Sequence, residues 1–490
     1  MPDHAAINAK KRGRPFYTLG AFLLCLSPFI LAGSSKPTLL ERVIDSGYLP
    51  VLSSNGPITY YEGPFGYTGF EYELAEAFAN HLGVELVIND QPNLQEILSH
   101  VGGPDGQFAA YGLSVTEERQ QQLQFSVPYM EVEQQVIYRR GNPRPQSIDD
   151  ITGLAIVVAS NSAQSELLES LKVDYPELSW LEIDGAEQLD LLEMVHNDRA
   201  DITIVDSTAY KINRNIYPRA RLAFDLEQTE NIAWAFPRGG DNTLYKAANA
   251  FLVDYQKNGD LDKLLEKYFH NDYLDEGGAL TLSKQIESRL PKWEVYFRET
   301  AAEHGLDWLF LAAISYQESH WNHKARSYTG VRGLMMLTLN TAKALGIKDR
   351  TDPQQSIDGG ARYFMQMYER IPERIQDPDR RWLALAAYNV GYGHLEDARK
   401  LTETMGGNPD NWDDVKERLP LLSKKKYYKD TKHGYARGWE PVKYVESIRN
   451  YYNILVWHNE YQQRRLAQQL QEEIEPVNFN RIKNGALSQL

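Results

Sequence analysis

The hydrophobic pattern of this 490-residue chain changes near residue 270. Before that point, short apolar runs rich in β-branched residues alternate with longer amphipathic segments, whereas almost every later segment has helical periodicity. The alternation predicts an α/β domain with buried parallel strands, and the later pattern predicts an α-rich domain. Because the chain is also too long for one ordinary core, we predict a multidomain protein with these two domains in that order.

Individual elements follow from the same periodicities. In the first domain we predict strands at 48–52, 86–88, 155–159 and 202–205, with crossover helices at 71–82 and 162–171. In the second domain we predict helices at 292–304, 308–318, 340–345, 357–371, 381–388 and 441–457. Residues 271–283 contain Gly277-Gly278 and predict an irregular linker, so the two domains are expected at 35–270 and 271–490.

The first 34 residues have the composition of a secretory signal peptide. A basic stretch precedes an apolar run at 16–32, and the small residues Ala32-Gly33-Ser34 suit cleavage. We therefore expect residues 1–34 to be removed from an exported protein. The alternative is a retained membrane anchor, for which the run of about 17 residues, interrupted by Pro28, is marginal.

The single cysteine, Cys25, lies inside this segment. It follows Leu24, whereas a lipidated cysteine normally follows a small residue, so we do not expect lipidation. A mature chain without cysteine cannot form disulfides and must depend on its apolar cores. The net charge of −15 argues against a nucleic-acid partner, because a phosphate-binding surface needs clustered basic residues.

A glutamate lies on the apolar face of one predicted helix in the second domain. Asp307 can cap that helix, and Glu318 falls seven, four and three positions after Leu311, Ile314 and Ser315, on the same face. Burial against apolar surface disfavours the carboxylate and raises its pKa, as a general acid near neutral pH requires. An isolated glutamate at a helix end more often turns to water, so the surrounding residues decide between the two interpretations.

Four motifs around this glutamate occur in a fixed order: Glu318-Ser319, Gly333-Leu334-Met335-Met336, Ala387-Tyr388-Asn389, and Glu440 with Tyr444-Val445. In order and spacing they resemble the soluble-lytic-transglycosylase catalytic domain, a family of lysozyme-like enzymes that cleave peptidoglycan, over about residues 283–460. Most members have Gln where this chain has Met336. The resemblance implies an α-rich, lysozyme-like domain, and Met336 lacks the amide with which that Gln could hydrogen-bond a sugar.

The resemblance also implies site roles. Glu318 is the expected catalytic acid, and the residues expected to bind or orient the substrate are Ser319, Met336, Tyr388, Asn389 and Tyr444. Asn389, beside a glycine-rich turn, is suited to donate to a sugar acetamido carbonyl, and Tyr444 is suited to donate to Glu318, although ordinary packing residues would look the same in sequence. His320 and His323 lack a third ligand and a metal-binding spacing, so we expect no metal and no other cofactor.

A single supported carboxylate determines the expected reaction. Glycoside hydrolysis ordinarily uses two carboxyl groups, but one suffices when the substrate supplies the nucleophile, as the resemblance implies. Glu318 would protonate the glycosidic oxygen between N-acetylmuramic acid and N-acetylglucosamine. As a carboxylate it would then accept the proton of the muramic C6 hydroxyl, which attacks C1 to give a 1,6-anhydro sugar without water.

Motifs in the first domain resemble a second family. The segments 69–75, 113–119, 125–129 and 201–206 are similar to family-3 periplasmic solute-binding proteins, whose two lobes close on polar amino acids. The resemblance implies an α/β, two-lobed, periplasmic-binding-protein-like domain.

Four residues of this domain match positions that hold ligand in that family. The resemblance places Arg119 on the clamp for the ligand α-carboxylate and Asp206 on the acid that holds the α-ammonium, with hydrogen-bond donors at Ser114 and Ser162. From the residues alone, two alternatives stay open: Arg119 in a surface ion pair with a neighbouring glutamate, and Asp206 as a helix cap.

Together the two resemblances cover nearly all of the chain and imply a peptidoglycan lytic transglycosylase with a non-catalytic, regulatory receptor domain. The expected partners are peptidoglycan glycan strands and an amino acid or muropeptide in the receptor domain. The expected location is the periplasm, peripheral to the outer membrane of a Gram-negative cell. The alternative is a periplasmic solute-binding or sensory protein whose lysozyme-like domain only binds peptidoglycan; Glu318 favours the enzyme, and Met336 is the feature on the other side.

Overall fold

The computed structural model describes residues 36–63, 65–103, 107–269 and 276–486, so the predicted signal peptide lies outside the described residues. The strands of the first domain are β1 Tyr48–Ser53, β2 Tyr61–Gly63, β3 Gly66–Thr68, β4 Glu85–Asp90, β5 Ala109–Ser114, β6 Leu123–Phe125, β7 Met130–Arg139, β8 Ile156–Ala159, β9 Leu181–Ile183, β10 Ile202–Asp206 and β11 Ala220–Pro237. Its helices are α1 Leu39–Ser46, α2 Phe70–Leu82, α3 Leu94–His100, α4 Glu117–Gln122, α5 Ile148–Ile151, α6 Ala163–Leu171, α7 Gln188–His196, α8 Ser207–Asn213, α9 Thr243–Lys257 and α10 Asp260–Phe269.

A mixed sheet builds the two lobes of this domain. In the described part of the chain its strand order is β4-β1-β5-β11-β7-β10-β8-β9, and β6 pairs with the end of β11. The first lobe contains β4, β1, β5 and β6, and the second contains β10, β8 and β9. β1 lies parallel to β4, and β10 lies parallel to β8, so the four strands predicted from the sequence pair as expected.

Two long strands that the sequence analysis missed connect the lobes. β11 pairs antiparallel with β5 and β6 in the first lobe and with β7, and β7 pairs antiparallel with β10 in the second lobe. The sheet is therefore mixed, and the expectation of parallel strands alone was incomplete. Local periodicity does not reveal these strands, because their pairing depends on partners far away in the chain.

The second domain is helical in its described residues. Its helices are α11 Glu276–Ser288, α12 Glu294–His304, α13 Trp308–Ser319, α14 Leu339–Ala344, α15 Pro353–Arg370, α16 Asp379–Val390, α17 Tyr392–Thr404, α18 Trp412–Arg418, α19 Lys425–Tyr428 and α20 Trp439–Ala486, with 3₁₀ turns at Leu290–Lys292 and Leu419–Ser423. The predicted irregular linker is wrong from Glu276 onward, because α11 begins there. Gly277 and Gly278 fall in its first turn, and burial of the following apolar face outweighs their low helix propensity: Ala279, Leu282 and Ile286.

The largest buried apolar cluster crosses from the second domain into the first. On the side of the first domain it includes Tyr61 in the β2–β3 hairpin and Leu189 on α7, and on the other side Trp457 on α20. The ring centroids of Tyr61 and Trp457 are 6.0 Å apart in an edge-to-face contact. Phe65 makes a similar contact with Trp382 of α16 at 5.7 Å. The two domains therefore pack through α16, α20 and the hairpin.

This arrangement predicts how the second domain behaves alone. A fragment starting at Glu276 should fold, because α13, α15, α16 and α20 share a buried aromatic cluster within the domain. Its melting temperature should be roughly 3–10 °C below that of the same unit in the full chain, because the Trp457 side chain loses its cover. Circular dichroism during heating measures both quantities. A fragment without cooperative unfolding would show that the boundary near residue 270 does not separate two folding units.

Candidate active site

Helix α13 holds Glu318 in its last turn. The Asp307 side chain accepts hydrogen bonds from the backbone N–H groups of Leu309 at 2.6 Å and Phe310 at 3.1 Å, and so caps the first turn. Every side chain from Leu309 to Tyr316 is buried, so α13 is the central helix of the domain. The helix ends at His320 in the left-handed conformation, with φ at +49°. Glu318 therefore stands at the end of a fixed element.

The Glu318 carboxyl has one hydrogen-bond donor in the described part of the chain. The Tyr444 hydroxyl on α20 donates to Glu318 Oε1 at 2.6 Å. Burial raises the pKa of Glu318 to about 7, and the Tyr444 hydrogen bond lowers it only in part. Within the described residues neither a cation nor a second carboxylate contributes to this pKa shift. At neutral pH the group is therefore close to half protonated, so both its acid and its base form are available.

Two further tyrosines support Tyr444. The Tyr388 ring lies nearly parallel to the Tyr444 ring, with centroids 6.2 Å apart, and Tyr363 on α15 meets Tyr388 edge to face at 4.9 Å. The order of contacts is Tyr363, Tyr388, Tyr444, Glu318. Sequence analysis named Tyr388 and Tyr444 through their motifs. It missed Tyr363, because a tyrosine on a helix rich in aromatic residues carries no distinguishing signal.

Ser319 fixes the second motif beside the carboxyl group. Its hydroxyl donates to the carbonyl of Leu334 at 2.8 Å, and the Ser315 hydroxyl donates to the same carbonyl at 3.2 Å. Gly333 at φ +86° is required there, because a Cβ would lie 1.7 Å from the Arg350 carbonyl oxygen. Met336 ends this turn at φ +44° with its side chain half-buried. In this geometry Ser319 orients the loop, and Met336 supplies no amide to a ligand.

Asn389 lies in the last turn of α16. Its side chain is exposed, whereas Ala384, Ala386 and Ala387 before it are fully buried and let α16 pack closely against its neighbours. The structure thus brings together Glu318, Tyr444 and Tyr388, each in contact with the next. Asn389 follows Tyr388 in the chain, and its side chain is exposed to solvent.

The four predicted ligand residues of the receptor domain have different surroundings. Arg119 is buried and donates to the backbone carbonyls of Ser114 at 3.1 Å and Asn161 at 3.3 Å. It forms no surface ion pair with Glu117 or Glu118; its nearest acidic partner is Glu166, at 3.8 Å. The guanidinium therefore joins the two lobes through backbone oxygens.

The other two predicted residues are helix caps. The Ser162 hydroxyl accepts from the N–H of Ser165 at 3.2 Å. Asp206 accepts from the N–H of Ala209 at 2.7 Å and from the Gln188 side-chain amide at 2.5 Å. The capping interpretation of Asp206 thus describes the structure, although Asp206 also lines the cleft between the lobes.

That cleft is a cavity of about 690 Å³, and helix α20 closes one side of it. Of the four predicted residues, only Asp206 lines it. Trp457, Tyr461 and Arg464 of α20 line it from the second domain. The Tyr461 hydroxyl donates to carboxylate oxygens of Asp190 and Glu193 on α7, each at 2.7 Å. The sequence did not indicate that α20 lines the receptor cleft. This helix carries Tyr444 near one end and Tyr461 inside the cleft.

Among the charged residues that line the cleft, the acidic ones are in the majority. Five acidic side chains face two arginines there: Asp90, Glu187, Asp190, Glu193 and Asp206 against Arg199 and Arg464. Burial raises the pKa of Glu187 to about 7, while the hydroxyl of Tyr111 in the first lobe donates to its carboxylate and lowers it in part. The electrostatics therefore favour a ligand with a cationic group.

One group of side chains in the described residues has metal-ligand chemistry: Glu303, His304 and Asp358, with ligand atoms within 4.8 Å of one another. Arg362 pairs with Asp358 at 2.7 Å, so an ion there would have to compete with that guanidinium. We assign no metal to it. In the same part of the chain, no helix combines the length and the apolarity needed to cross a bilayer.

Comparison with known proteins agrees with both halves of this description. The profile described as "Transglycosylase SLT domain" matches residues 295–411, and "Bacterial extracellular solute-binding proteins, family 3" matches residues 50–271. Among solved structures, AbpA from Streptococcus pneumoniae bound to L-arginine aligns with a TM-score of 0.43 and 23% identity, over 47% of this chain and 98% of that one. Holo ArgBP from T. maritima aligns with a TM-score of 0.40 and 25% identity, over 46% and 98%.

Relatives that align over both domains have higher sequence identity to this chain. The membrane-bound lytic murein transglycosylase F of Saccharophagus degradans is 54% identical over 444 residues, which cover 90% of this chain and 88% of that protein. The protein of the same name from Stutzerimonas stutzeri is 49% identical over 440 residues, covering 89% and 90%. The fold and the profiles define a soluble-lytic-type transglycosylase fused to a solute-binding domain. The chain belongs to the membrane-bound lytic murein transglycosylase F family.

The shifted pKa of Glu318 predicts a pH-dependent contribution to stability. Its folded-state pKa of about 7 lies above the ordinary value of 4.5, so the stabilisation is complete below pH 4.5 and is lost as pH rises through about 7. The parent protein loses this contribution as the pH rises, whereas Glu318→Gln does not. The free energy of unfolding of Glu318→Gln relative to the parent protein should therefore increase from about pH 5 to pH 8, by on the order of 2 kcal/mol.

Denaturant unfolding at both pH values measures this difference. The exposed Glu299 on α12 supplies the matched control, and Glu299→Gln should give no comparable pH-dependent gain. An equal effect of the two substitutions at both pH values would contradict a raised pKa at Glu318.

Proposed function

We propose that this chain is a peptidoglycan lytic transglycosylase in which Glu318 acts first as acid and then as base. The observation that carries the proposal is the half-buried Glu318 carboxyl, whose pKa is raised to about 7 by burial and whose hydrogen-bond donor is Tyr444. A group with such a pKa can donate and accept a proton at the same pH. Membership of the transglycosylase family supports the reaction class.

The reaction proceeds in two proton transfers. Glu318 protonates the oxygen of the β-1,4 bond between N-acetylmuramic acid and N-acetylglucosamine, and the bond from C1 to that oxygen breaks while the acetamido group assists. The Glu318 carboxylate then takes the proton of the muramic C6 hydroxyl as its oxygen bonds to C1. The products are a 1,6-anhydromuramic end and a free C4 hydroxyl on N-acetylglucosamine. The nucleophile belongs to the substrate, so one carboxyl group is sufficient.

The neighbouring residues fit orienting roles. Tyr444 holds the carboxyl through its hydrogen bond at 2.6 Å, and the Tyr388 ring limits the movement of Tyr444. The exposed amide of Asn389 is available for a sugar acetamido carbonyl. Ser319 acts through the loop that it holds, and Met336 offers an apolar surface where most family members offer an amide.

The site of action follows from the substrate and the family. We place the mature protein in the periplasm, peripheral to the outer membrane of a Gram-negative cell. The apolar, signal-like N-terminal sequence and the membrane-bound designation of the relatives support this location.

The test of catalysis is the product. Purified sacculi treated with the protein should release anhydro-muropeptides, identified by mass spectrometry. Glu318→Gln should reduce that release by roughly 10²-fold or more, because the amide cannot donate a proton. Glu299→Gln is the matched control, and sedimentation with sacculi shows whether binding survives. Near-parental release by Glu318→Gln would contradict the role of Glu318, and binding without any release by the parent protein would favour the non-catalytic alternative.

The receptor domain is proposed to be regulatory, with an amino acid or cell-wall peptide as its ligand. The acidic cleft suits the ammonium groups of such a ligand, and α20 lines this cleft while also carrying Tyr444. Arg119 does not line the cleft in this arrangement, so it would take the ligand carboxylate only after the lobes move and its hydrogen bond to the Asn161 carbonyl is released. A ligand that binds one arrangement of α7 and α20 better than another shifts the population of active enzyme.

Two variants separate binding from coupling. Diaminopimelate, D-alanine and the tripeptide of L-alanine, D-glutamate and diaminopimelate are titrated while calorimetry and product release are followed. With the parent protein, turnover should change roughly 5- to 150-fold at saturation. Arg119→Gln should abolish ligand binding. Tyr461→Phe should bind ligand but show a ratio of turnover with and without it closer to one. Binding without any change in the parent protein's turnover would reduce the domain to a scaffold.

A further inference from the structure

The segment from residue 424 to residue 443 is basic although the chain as a whole is acidic. It contains seven Lys or Arg residues and two acidic residues, in a chain with a net charge of −15. Six of its lysines are exposed, and we call them the lysine face: Lys424, Lys425, Lys426, Lys429, Lys432 and Lys443. Most charged segments are simply solvated, so a binding role for the lysine face has to be supported by its position in the structure.

Few of these charges are neutralised within the protein. Lys429 lies 3.7 Å from Asp430, and Arg437 pairs with Glu440 at 2.7 Å. The other five lysines form no ion pair with any residue of the described ranges. Like charges held side by side repel one another, and an anionic partner relieves that repulsion.

The segment is held in place beside the candidate active site. Asp397 on α17 is buried, and its carboxylate accepts from the backbone N–H groups of Lys432 at 3.2 Å and His433 at 2.7 Å. The His433 ring covers Gly393, where a Cβ would lie 2.7 Å from the ring. Gly393 is only four residues beyond Asn389. The middle of the segment is therefore anchored next to the exposed amide proposed to contact sugar.

The end of the segment forms the start of α20, which begins at Trp439. The chain continues directly into the first turns of α20, where Tyr444 donates to Glu318. In the chain, the lysine face thus joins the part anchored on α17 to the start of α20, and Lys443 is adjacent in sequence to Tyr444. A glycan strand bound at Glu318 would carry its peptide stems past this surface, and the stems bear free carboxylates.

We propose that the lysine face binds the carboxylates of the peptide stems on the strand being cleaved. The inference rests on the proposed function and adds to it a preference for strands that carry peptides over bare glycan. An anionic lipid surface would have the same charge complementarity. The anchoring to α17 and the continuity with Tyr444 favour the strand, because the first fixes the backbone at Lys432 and His433 and the second makes Lys443 the neighbour of Tyr444 in the chain.

The experiment compares two substrates in the mature full-length protein. One is glycan strands with intact stems, and the other is the same strands after an amidase has removed the stems. Lys424→Gln, Lys425→Gln and Lys426→Gln combined should lower kcat/KM on stem-bearing strands roughly 3- to 10-fold at low salt. The loss should shrink as salt screens the charges. Turnover of stripped strands should stay within about twofold of the parent rate.

A second triple variant controls for the change in net charge. Lys246→Gln, Lys257→Gln and Lys284→Gln combined remove three exposed lysines on α9 and α11 and should alter neither substrate's turnover. An equal loss on both substrates with the first triple variant, or no loss on either, would overturn the proposal. So would reduced binding to phosphatidylglycerol vesicles with unchanged preference between strands, since that result assigns the surface to lipid.

Binding measurements keep this inference separate from catalysis. In a Glu318→Gln background, sedimentation with stem-bearing and stripped strands should show the same preference, and the first triple variant should remove it. If the parent protein forms no anhydro product, the proposed reaction fails while sedimentation still decides the role of the lysine face. Equal sedimentation with both kinds of strand would overturn it.

Discussion

The hydrogen bond between Tyr444 and Glu318 joins the two helices on which the second domain depends. α13 is buried along most of its length and cannot shift without disturbing the core, so it fixes the carboxyl group. α20 brings the donor to within 2.6 Å of it. Any movement of α20 along or about its axis changes this contact, because the other partner stands on a helix that the core holds in place.

The length of α20 gives that contact a wider consequence. Tyr444 and Tyr461 lie 17 residues apart on one helix, which corresponds to roughly 25 Å of continuous backbone. At the far end, the Tyr461 hydroxyl meets two carboxylates of α7, and Trp457 packs on the β2–β3 hairpin. The helix thus contacts both lobes of the receptor domain. A change in the distance between the lobes therefore cannot leave all of these contacts as they are.

Sequence reasoning reached the features that local chemistry determines. The Asp307 cap, the half-buried position of Glu318 and the parallel pairs β1–β4 and β10–β8 follow from spacing and residue type. It missed β7 and β11, whose pairing joins distant segments, and it read Gly277-Gly278 as a linker where burial makes a helix. Arg119 shows the same limit, because a guanidinium satisfied by the Ser114 and Asn161 carbonyls depends on how the two lobes meet. Tyr363 acts only through two other rings, which no motif records.

The proposed reaction needs a carboxyl group whose pKa lies near neutral pH. Two opposing effects, burial and the Tyr444 hydrogen bond, set the pKa of Glu318. Burial alone would raise the pKa of Glu318 further and leave a good acid whose protonated form persists. The Tyr444 hydrogen bond favours the carboxylate and so retains its capacity to accept the C6 proton. In the described residues no second carboxylate contributes to this pKa. In the proposed reaction one carboxyl group therefore serves as both acid and base, whereas a hydrolase ordinarily uses two carboxyl groups for these roles. Control of the reaction through α20 would therefore act on both steps at once, since moving Tyr444 changes the acid and the base together.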